Sequence, residues 1–380
     1  MNIGIFTCNY RPLINGLSAS VEIFSHEFRK RGHRVFIFAP KYPGFIDSEE
    51  GVFRFPSLRA PTHHNYRIPL PFSPTINSFL PRLGLDLIHA QHPFLLGSLA
   101  RRAARRLDVP LVFTHHTLYE RYIHYFPIAS AAAQRLATRL STSFANQADL
   151  VIAPTRGLRK ILQERGVRSR IEVIPTGVKA GDDDKGSSLA SDLGILPSAK
   201  ILLSVGRLAK EKNLDALLEV FLRLAPDIPD LYLVLVGEGD ERRQLQAWVM
   251  RQGLGDRVRF VGEQPRKSLA HYYQGAHLLL FTSLSEAQGL VLLESMVHGL
   301  PVLALRSFAA EELIEDGING YLADGVEALV GRTRDLLCDE ERRRSFSEKA
   351  KEKAGEFSAP AMAERMLNLY RELLEERKER

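Results

Sequence analysis

The chain has 380 residues, 45% hydrophobic and 25% charged, a balance that supports two cores of ordinary size and excludes both a single small module and a wholly disordered polymer. Its two cysteines, Cys8 and Cys338, exclude a disulfide framework or a structural zinc site and fit a reducing compartment. The net charge of +6 conceals a division: residues 1–175 hold 23 Lys+Arg against 11 Asp+Glu, whereas residues 176–380 hold 28 against 34. The basic first half is expected to face an anionic partner, nucleic acid or a lipid surface, or else to carry a solubilising bias.

In chain order, short apolar runs alternate with amphipathic stretches. Strands are predicted at 2–8, 35–39, 87–90, 111–114 and 150–153, with a helix at 21–30. This period switching belongs to βαβ units and implies a parallel, doubly wound sheet. A polar, acidic, glycine-containing stretch at 177–200 reads as a connector. Its run Asp182-Asp183-Asp184 is taken as solvated acid and not as a metal site. A second series places strands at 201–205, 231–236, 258–261, 278–282 and 301–304. The expected division is therefore a domain over 1–178, a connector over 179–199, a second domain over 200–357 and a helix over 358–380. That last helix, with Met362, Met366, Leu369 and Leu373 at helical spacing, could pack on either half, including back on the first. Ligands of such sheets bind outside the carboxyl ends of the strands, so two halves predict a cleft between facing strand ends. No apolar run approaches the roughly 18 residues of a membrane span. The run at 3–6 is too short, and lacks the basic flank, for a secretory signal, so the chain is expected in the cytosol.

Three clusters carry chemistry. At the first strand-to-helix junction, Asn15-Gly16 forms a turn and Ser18 or Ser20 could cap the helix. Glycine there lets a phosphate approach a helix start, or is simply a turn glycine. The absence of G-x-G-x-x-G counts against a dinucleotide enzyme. In the second cluster, a strand ends in Gly206, followed by Arg207 and Lys212. Arg grips two oxygens and Lys adds a compact charge, which suits a diphosphate, although a solvated loop carries the same residues. Fixed cations of this kind can neutralise a departing nucleoside diphosphate without a metal. The third cluster sets Glu286 before Gly289, which opens an apolar helix, with Glu294 beyond it. If wholly helical, the two acids stand roughly 12 Å apart, beyond the roughly 5–9.5 Å of the carboxylate pairs that hydrolyse glycosides. That spacing suits two hydroxyl-bearing rings joined by a diphosphate near the helix start. The alternative is a pair of helix-start acids favoured by the macrodipole.

The segment from Glu286 to Ala304 resembles the E-x7-E and G-x-P-V signature of retaining nucleotide-sugar glycosyltransferases, and Gly206, Arg207 and Lys212 match that family's diphosphate segment. The resemblance covers nearly the whole chain. It implies an α/β fold of GT-B type, two Rossmann-like domains facing a central cleft. It also implies that Glu286 contacts the transferred sugar, Glu294 the ribose, and Arg207 and Lys212 the diphosphate. Gly16 would approach the phosphates from the opposite half, and Gln288, Gly289 and Leu290 would line the donor site. Residues 113–127, FTHHTLYERYIHYFP, are similar to the acceptor segment of bacterial diacylglycerol glucosyltransferases, as is Gln288, where most relatives carry Phe. On that resemblance His116, in preference to His115, sits beside the reacting sugar and acts with Glu286. Tyr119, Glu120, Tyr122, His124 and Tyr125 would serve the acceptor; the alternative is a polar His pair that only caps the next helix.

The same resemblance implies transfer with retention, the leaving phosphate oxygen acting as base and no metal being essential. Arg101, Arg102, Arg105 and Arg106 form a helical basic patch, with Arg121, Arg135 and Arg139 following among Tyr119, Tyr122, Tyr125, Phe126 and Ile128. Basic amphipathic segments with aromatic residues settle on anionic bilayers. The same residues could track nucleic-acid phosphates, but no nucleic-acid motif is present and no such partner is expected. The expected function is transfer of a hexose, glucose from UDP-glucose, to 1,2-diacylglycerol by a peripheral protein at the cytoplasmic membrane face. The same chemistry on phosphatidylinositol, a glycolipid or a glycan, with GDP-mannose as a possible donor, is one alternative. A non-catalytic nucleotide- or nucleic-acid-binding protein is another.

Overall fold

The computed structural model describes residues 1–60, 66–119, 130–179 and 188–379. It divides into two compact units, Met1–Gly177 with Ala359–Arg380, and Val178–Ser358.

The first unit runs β1 (Asn2–Phe6), α1 (Gly16–Lys30), β2 (Arg34–Pro40), β3 (Val52–Phe55), a small antiparallel pair β4 (Ser57–Arg59) and β5 (Arg67–Pro69), and α2 (Pro74–Phe79). It continues through β6 (Leu87–Ala90), α3 (Leu96–Leu107), β7 (Leu111–Thr114), α4 (Ala131–Ala145), β8 (Leu150–Ala153), α5 (Arg156–Glu164) and β9 (Ile171–Val173). Seven of these strands form one parallel sheet in the order β3-β2-β1-β6-β7-β8-β9. Helices cover both faces of such a sheet, which is why β6, β7 and β8 are buried at every position and read as unbroken apolar runs.

The second unit follows the same logic with α6 (Leu189–Asp192), β10 (Lys200–Val205), α7 (Leu214–Leu224), β11 (Leu231–Val236), α8 (Arg242–Arg251), β12 (Val258–Gly262), α9 (Leu269–Gly275) and β13 (Leu278–Phe281). It is completed by α10 (Leu290–Val297), β14 (Val302–Leu305), α11 (Phe308–Leu313), β15 (Gly320–Ala323), α12 (Val326–Cys338) and α13 (Glu340–Gly355). Its parallel sheet has the order β12-β11-β10-β13-β14-β15. Strand order therefore reverses between β1 and β6 in one unit and between β10 and β13 in the other. At such reversals the loops leave neighbouring strands in opposite directions and open a crevice at the carboxyl ends.

Three sequence expectations change. The connector at 179–199 is only partly a connector: Leu189, Ala190, Ile195 and Ala199 are buried in the second core. Gly275 lies so close to this segment that a Cβ there would stand 2.3 Å from the Leu189 Cβ, so apolar burial draws the stretch into the unit. Asp182, Asp183 and Asp184 lie outside the described residues. At the first junction neither Ser18 nor Ser20 caps α1. Asn15 does, accepting from the Ser18 amide at 2.8 Å while the Ser18 hydroxyl accepts from the Asn15 amide at 3.0 Å. This reciprocal box satisfies two otherwise orphaned donors and starts the helix at Gly16, not at 21. The final helix, α14 (Ala359–Lys378), buries Met362, Met366, Tyr370 and Leu373 in the core of the first unit, whereas Leu369 is only partly covered. No helix among the described residues is long and apolar enough to cross a membrane.

Candidate functional site

In the second unit the reversal point between β10 and β13 gathers the charged residues. β10 ends at Val205, and Gly206 meets the end of β11 so closely that a Cβ on Gly237, at φ +140°, would lie 1.9 Å from the Gly206 carbonyl oxygen. Only glycine permits that approach. The chain then carries Arg207, which pairs with Glu211, and Lys212, which pairs with Glu286 from the loop after β13. The two loops are stitched together by hydroxyls: Thr282 donates to the Lys212 carbonyl at 3.0 Å and Ser283 to the Glu211 carbonyl at 3.1 Å. Gly206, Arg207, Lys212, Thr282 and Ser283 line a small pocket at this junction.

Glu286 feels opposed forces. Burial pushes its carboxyl up, but the Lys212 ammonium, its hydrogen bond and that of Ser283 outweigh burial, so the group is held below the ordinary glutamate range. Gln288 is buried, and Gly289 at φ +71° is the N-cap of α10, which begins at Leu290. The span from Glu286 is thus loop followed by helix, and the roughly 12 Å separation drawn from an all-helical span does not apply. Glu294 sits on the second turn of α10, accepting from Arg266 at 2.9 Å and from the Tyr273 hydroxyl at 3.1 Å. Burial wins here: despite Arg266 and Tyr273 the carboxyl is raised above its usual range. The result is three cations, Arg207, Lys212 and Arg266, each paired with an acid, two of those acids, Glu286 and Glu294, being shifted in opposite directions. That arrangement can hold two polyhydroxyl rings and the phosphates between them.

In the first unit β7 delivers His115 and His116. The His115 ring is buried, its Nδ1 without a hydrogen-bond partner among the described residues. The His116 ring is half-buried, its Nε2 2.7 Å from the Gln91 side-chain oxygen in the loop after β6. Burial, with a smaller contribution from nearby His92, holds the His116 ring down at about 3; it is neutral at physiological pH. Behind it, His89 spans the unit, 2.6 Å from the Tyr370 hydroxyl and 2.7 Å from that of Thr114. Tyr119 packs its ring against His92 and His115, with its hydroxyl buried.

Gly16 is the first residue of α1, where a Cβ would meet nothing within 4 Å, so the unit itself places no demand for glycine there. Arg101 and Arg105 both donate to the Gln147 side-chain oxygen, at 2.7 and 3.0 Å, and among the described residues not to an acid. Glu120, Tyr122, His124 and Tyr125, with Arg121, Phe126 and Ile128, lie outside the described residues. Sequence reasoning missed Arg266, Tyr273 and Gln91. The first two hold Glu294 from 28 and 21 positions away, and Gln91 reaches His116 from 25, separations that no local pattern announces.

Over residues 189–353 the chain matches the family described as Glycosyl transferases group 1, and over residues 14–181 the one described as Glycosyltransferase Family 4. Alpha-monoglucosyldiacylglycerol synthase of Streptococcus pneumoniae (strain ATCC BAA-255 / R6) is 31% identical over 345 residues, covering 89% of this chain and 78% of that protein. A protein of the same name from Acholeplasma laidlawii is 25% identical over 390 residues, covering 99% and 98%. Among solved structures, sucrose-phosphate synthase (tll1590) from Thermosynechococcus elongatus matches with a TM-score of 0.81 at 24% identity over 98% of both chains, a likeness of fold.

Proposed function

This chain belongs to the glycosyl transferases group 1, built on two Rossmann-like sheets of the GT-B fold, and on that premise we propose that it transfers glucose from UDP-glucose to the free hydroxyl of 1,2-diacylglycerol, with retention, at the cytoplasmic membrane face. The observation that carries the reading is the cluster at the β10/β13 reversal: Gly206, Arg207 and Lys212 facing Glu286, with Glu294 on the second turn of the helix that follows, α10. The two relatives named for glucosyldiacylglycerol synthesis, similar along most of their length, favour the lipid acceptor.

In this account the pyrophosphate lies against Gly206, Arg207 and Lys212. Both cations already hold a carboxylate, but a guanidinium has five N–H donors and an ammonium three, so each can keep its acid and take a phosphate oxygen. Glu286, kept ionised by Lys212, accepts from hydroxyls of the transferred glucose, and Glu294 from the ribose. Gln288, Gly289 and Leu290 present the start of α10 to the donor. The acceptor oxygen forms a bond to the sugar C1 on the face from which the phosphate departs. The C1–O bond to phosphate breaks, and the acceptor proton passes to the leaving phosphate oxygen. Charge stabilisation and positioning supply the acceleration, without a strong protein nucleophile. His116, neutral, is assigned to the reacting sugar as a hydrogen-bonding group. Arg101, Arg105, Arg135 and Arg139, with Leu136 and Leu140 exposed on α4, would meet anionic headgroups, making the protein peripheral.

The test offers UDP-glucose, UDP-galactose and GDP-mannose, each labelled, with diacylglycerol vesicles. Glucolipid formed from UDP-glucose, rising with anionic lipid and falling with salt, supports the reading. Transfer to a soluble sugar with none to diacylglycerol removes the lipid acceptor, and a preference for GDP-mannose removes the donor.

A further inference from the structure

The first unit carries one piece of structure outside its own core. Among the described residues β4 and β5 pair only with each other and belong to neither large sheet. Their antiparallel register sets Leu58 opposite Ile68 and Arg59 opposite Arg67. Directly opposed residues share a face and successive pairs alternate, so one face bears an aliphatic pair and the other two guanidinium groups. Leu58 is 59% exposed and Ile68 37%, and the chain leaving β5 exposes Leu70 at 40% and Phe72 at 65%. An isolated two-stranded pair is marginal in water. Arg67, opposite Arg59, makes no ion pair among the described residues, donating instead to Ser57.

The pair is nevertheless tethered in one place. Leu70 donates to the Pro56 carbonyl at 2.7 Å, Lys41 to that of Phe55 at 2.8 Å, and the Ser57 hydroxyl to that of Lys41. Those anchors fix it beyond the carboxyl ends of β2 and β3, the end of a doubly wound sheet at which ligands bind. Solvent-exposed aliphatic and aromatic side chains beside guanidinium groups match the boundary between acyl chains and phosphate headgroups.

We infer that the β4–β5 pair, with Leu70 and Phe72, is a membrane wedge that buries Leu58, Ile68, Leu70 and Phe72 in the interface of an anionic bilayer and sets Arg59 and Arg67 at its phosphates. The inference rests on the lipid-acceptor reading and adds to it an apolar, salt-resistant attachment distinct from the basic helices. It places the enzyme's acceptor end at the layer from which a diacylglycerol hydroxyl emerges.

The chain has a single tryptophan, Trp248, so Phe72→Trp in a Trp248→Phe background reports on the wedge alone. With vesicles of phosphatidylglycerol, phosphatidylcholine and diacylglycerol, its emission is expected to shift to the blue and to be quenched by brominated acyl chains, and to stay so at high salt. Leu58→Ser/Phe72→Ser should weaken vesicle binding about tenfold per residue while leaving donor hydrolysis without acceptor unchanged. Binding with no spectral shift, fully reversed by salt, overturns the wedge. A blue shift that appears without vesicles and grows with protein concentration overturns it in favour of self-association. A quenched tryptophan with no glucolipid formed leaves the wedge standing and removes the acceptor reading instead.

Discussion

Replacing Glu294 by alanine isolates the donor's ribose end. Its carboxylate is 14% exposed and is oriented by Arg266 at 2.9 Å and Tyr273 at 3.1 Å, so a ribose hydroxyl bound as proposed would meet a fixed carboxylate acceptor. Such a hydrogen bond contributes about 1.5–3 kcal/mol, and at ~1.4 kcal/mol per tenfold its loss corresponds to a roughly 10- to 150-fold weaker hold on the donor. The ribose does not change in the reaction, so the loss is shared by ground and transition states and should appear in the KM for UDP-glucose with kcat within a few-fold. Stability changes for a separate reason. Arg266, 35% exposed, turns to water at little cost, but the Tyr273 hydroxyl sits on a residue 2% exposed and loses its acceptor, worth about 1–3 kcal/mol. Tyr273→Phe, which keeps the carboxylate and removes only its orienting bond, should raise KM less, by about fivefold for ~1 kcal/mol. Initial rates across UDP-glucose concentration, with urea unfolding measured on the same preparations, give both numbers. An unchanged KM in Glu294→Ala, or a loss confined to kcat, would refute the ribose assignment.

Gln91→Glu sets a carboxylate 2.7 Å from the His116 ring, raises its affinity for a proton from about 3 and should introduce a new ionisation into the pH profile of kcat/KM; Gln91→Leu should lower kcat without creating that ionisation. The rings of His89, His115 and half-buried His116, all held near 3 chiefly by desolvation, bind protons more readily when unfolded. Stability should therefore be complete above about 6.5 and fall as the pH drops toward 3, seen as a decreasing urea midpoint. Glu294, raised by burial, should protonate before Glu286, which Lys212 holds down; the acid loss of donor affinity then begins above the normal glutamate range and moves lower in Glu294→Gln. Gly237→Ala should push β10 and β11 apart at the Gly206 carbonyl and weaken donor binding roughly tenfold or more, with about 1–3 kcal/mol of strain from a backbone region that favours glycine. Gly331→Ala, in α12 with nothing within 4 Å of the added carbon, should instead stabilise by about 0.5–1 kcal/mol.

The central strands were legible because parallel strands covered on both faces are apolar at every position, as in LVFT and LVIA. The edge strands β9 and β15 were not: β9 has three residues and β15 begins with glycine, too short or too permissive to stand out from a loop, whereas β12, also at an edge, was legible from its apolar run. The loops after β10 and β13 could be read because the residue types needed there, glycine for close approach and Arg, Lys and Glu for charge, lie within a few positions of each other. What the sequence withheld was pairing across distance: Lys212 with Glu286, Arg266 with Glu294, His89 with Tyr370. The Asn15 cap was missed for a local reason, since Asn, Ser18 and Ser20 all favour helix starts and only backbone geometry selects among them. The spacing of α14 was visible, but nothing in it named the core against which it packs.

The central claim, glucosyl transfer to diacylglycerol with retention from a donor held by Arg207, Lys212, Glu286 and Glu294, is tested most directly by the anomeric configuration of the lipid product formed from UDP-glucose. NMR of that product should show an α-glucosyl linkage to the glycerol hydroxyl, and its formation should be abolished by Glu286→Ala without loss of fold. A β-linkage, or an α-glucolipid formed at an undiminished rate by Glu286→Ala, would contradict the account.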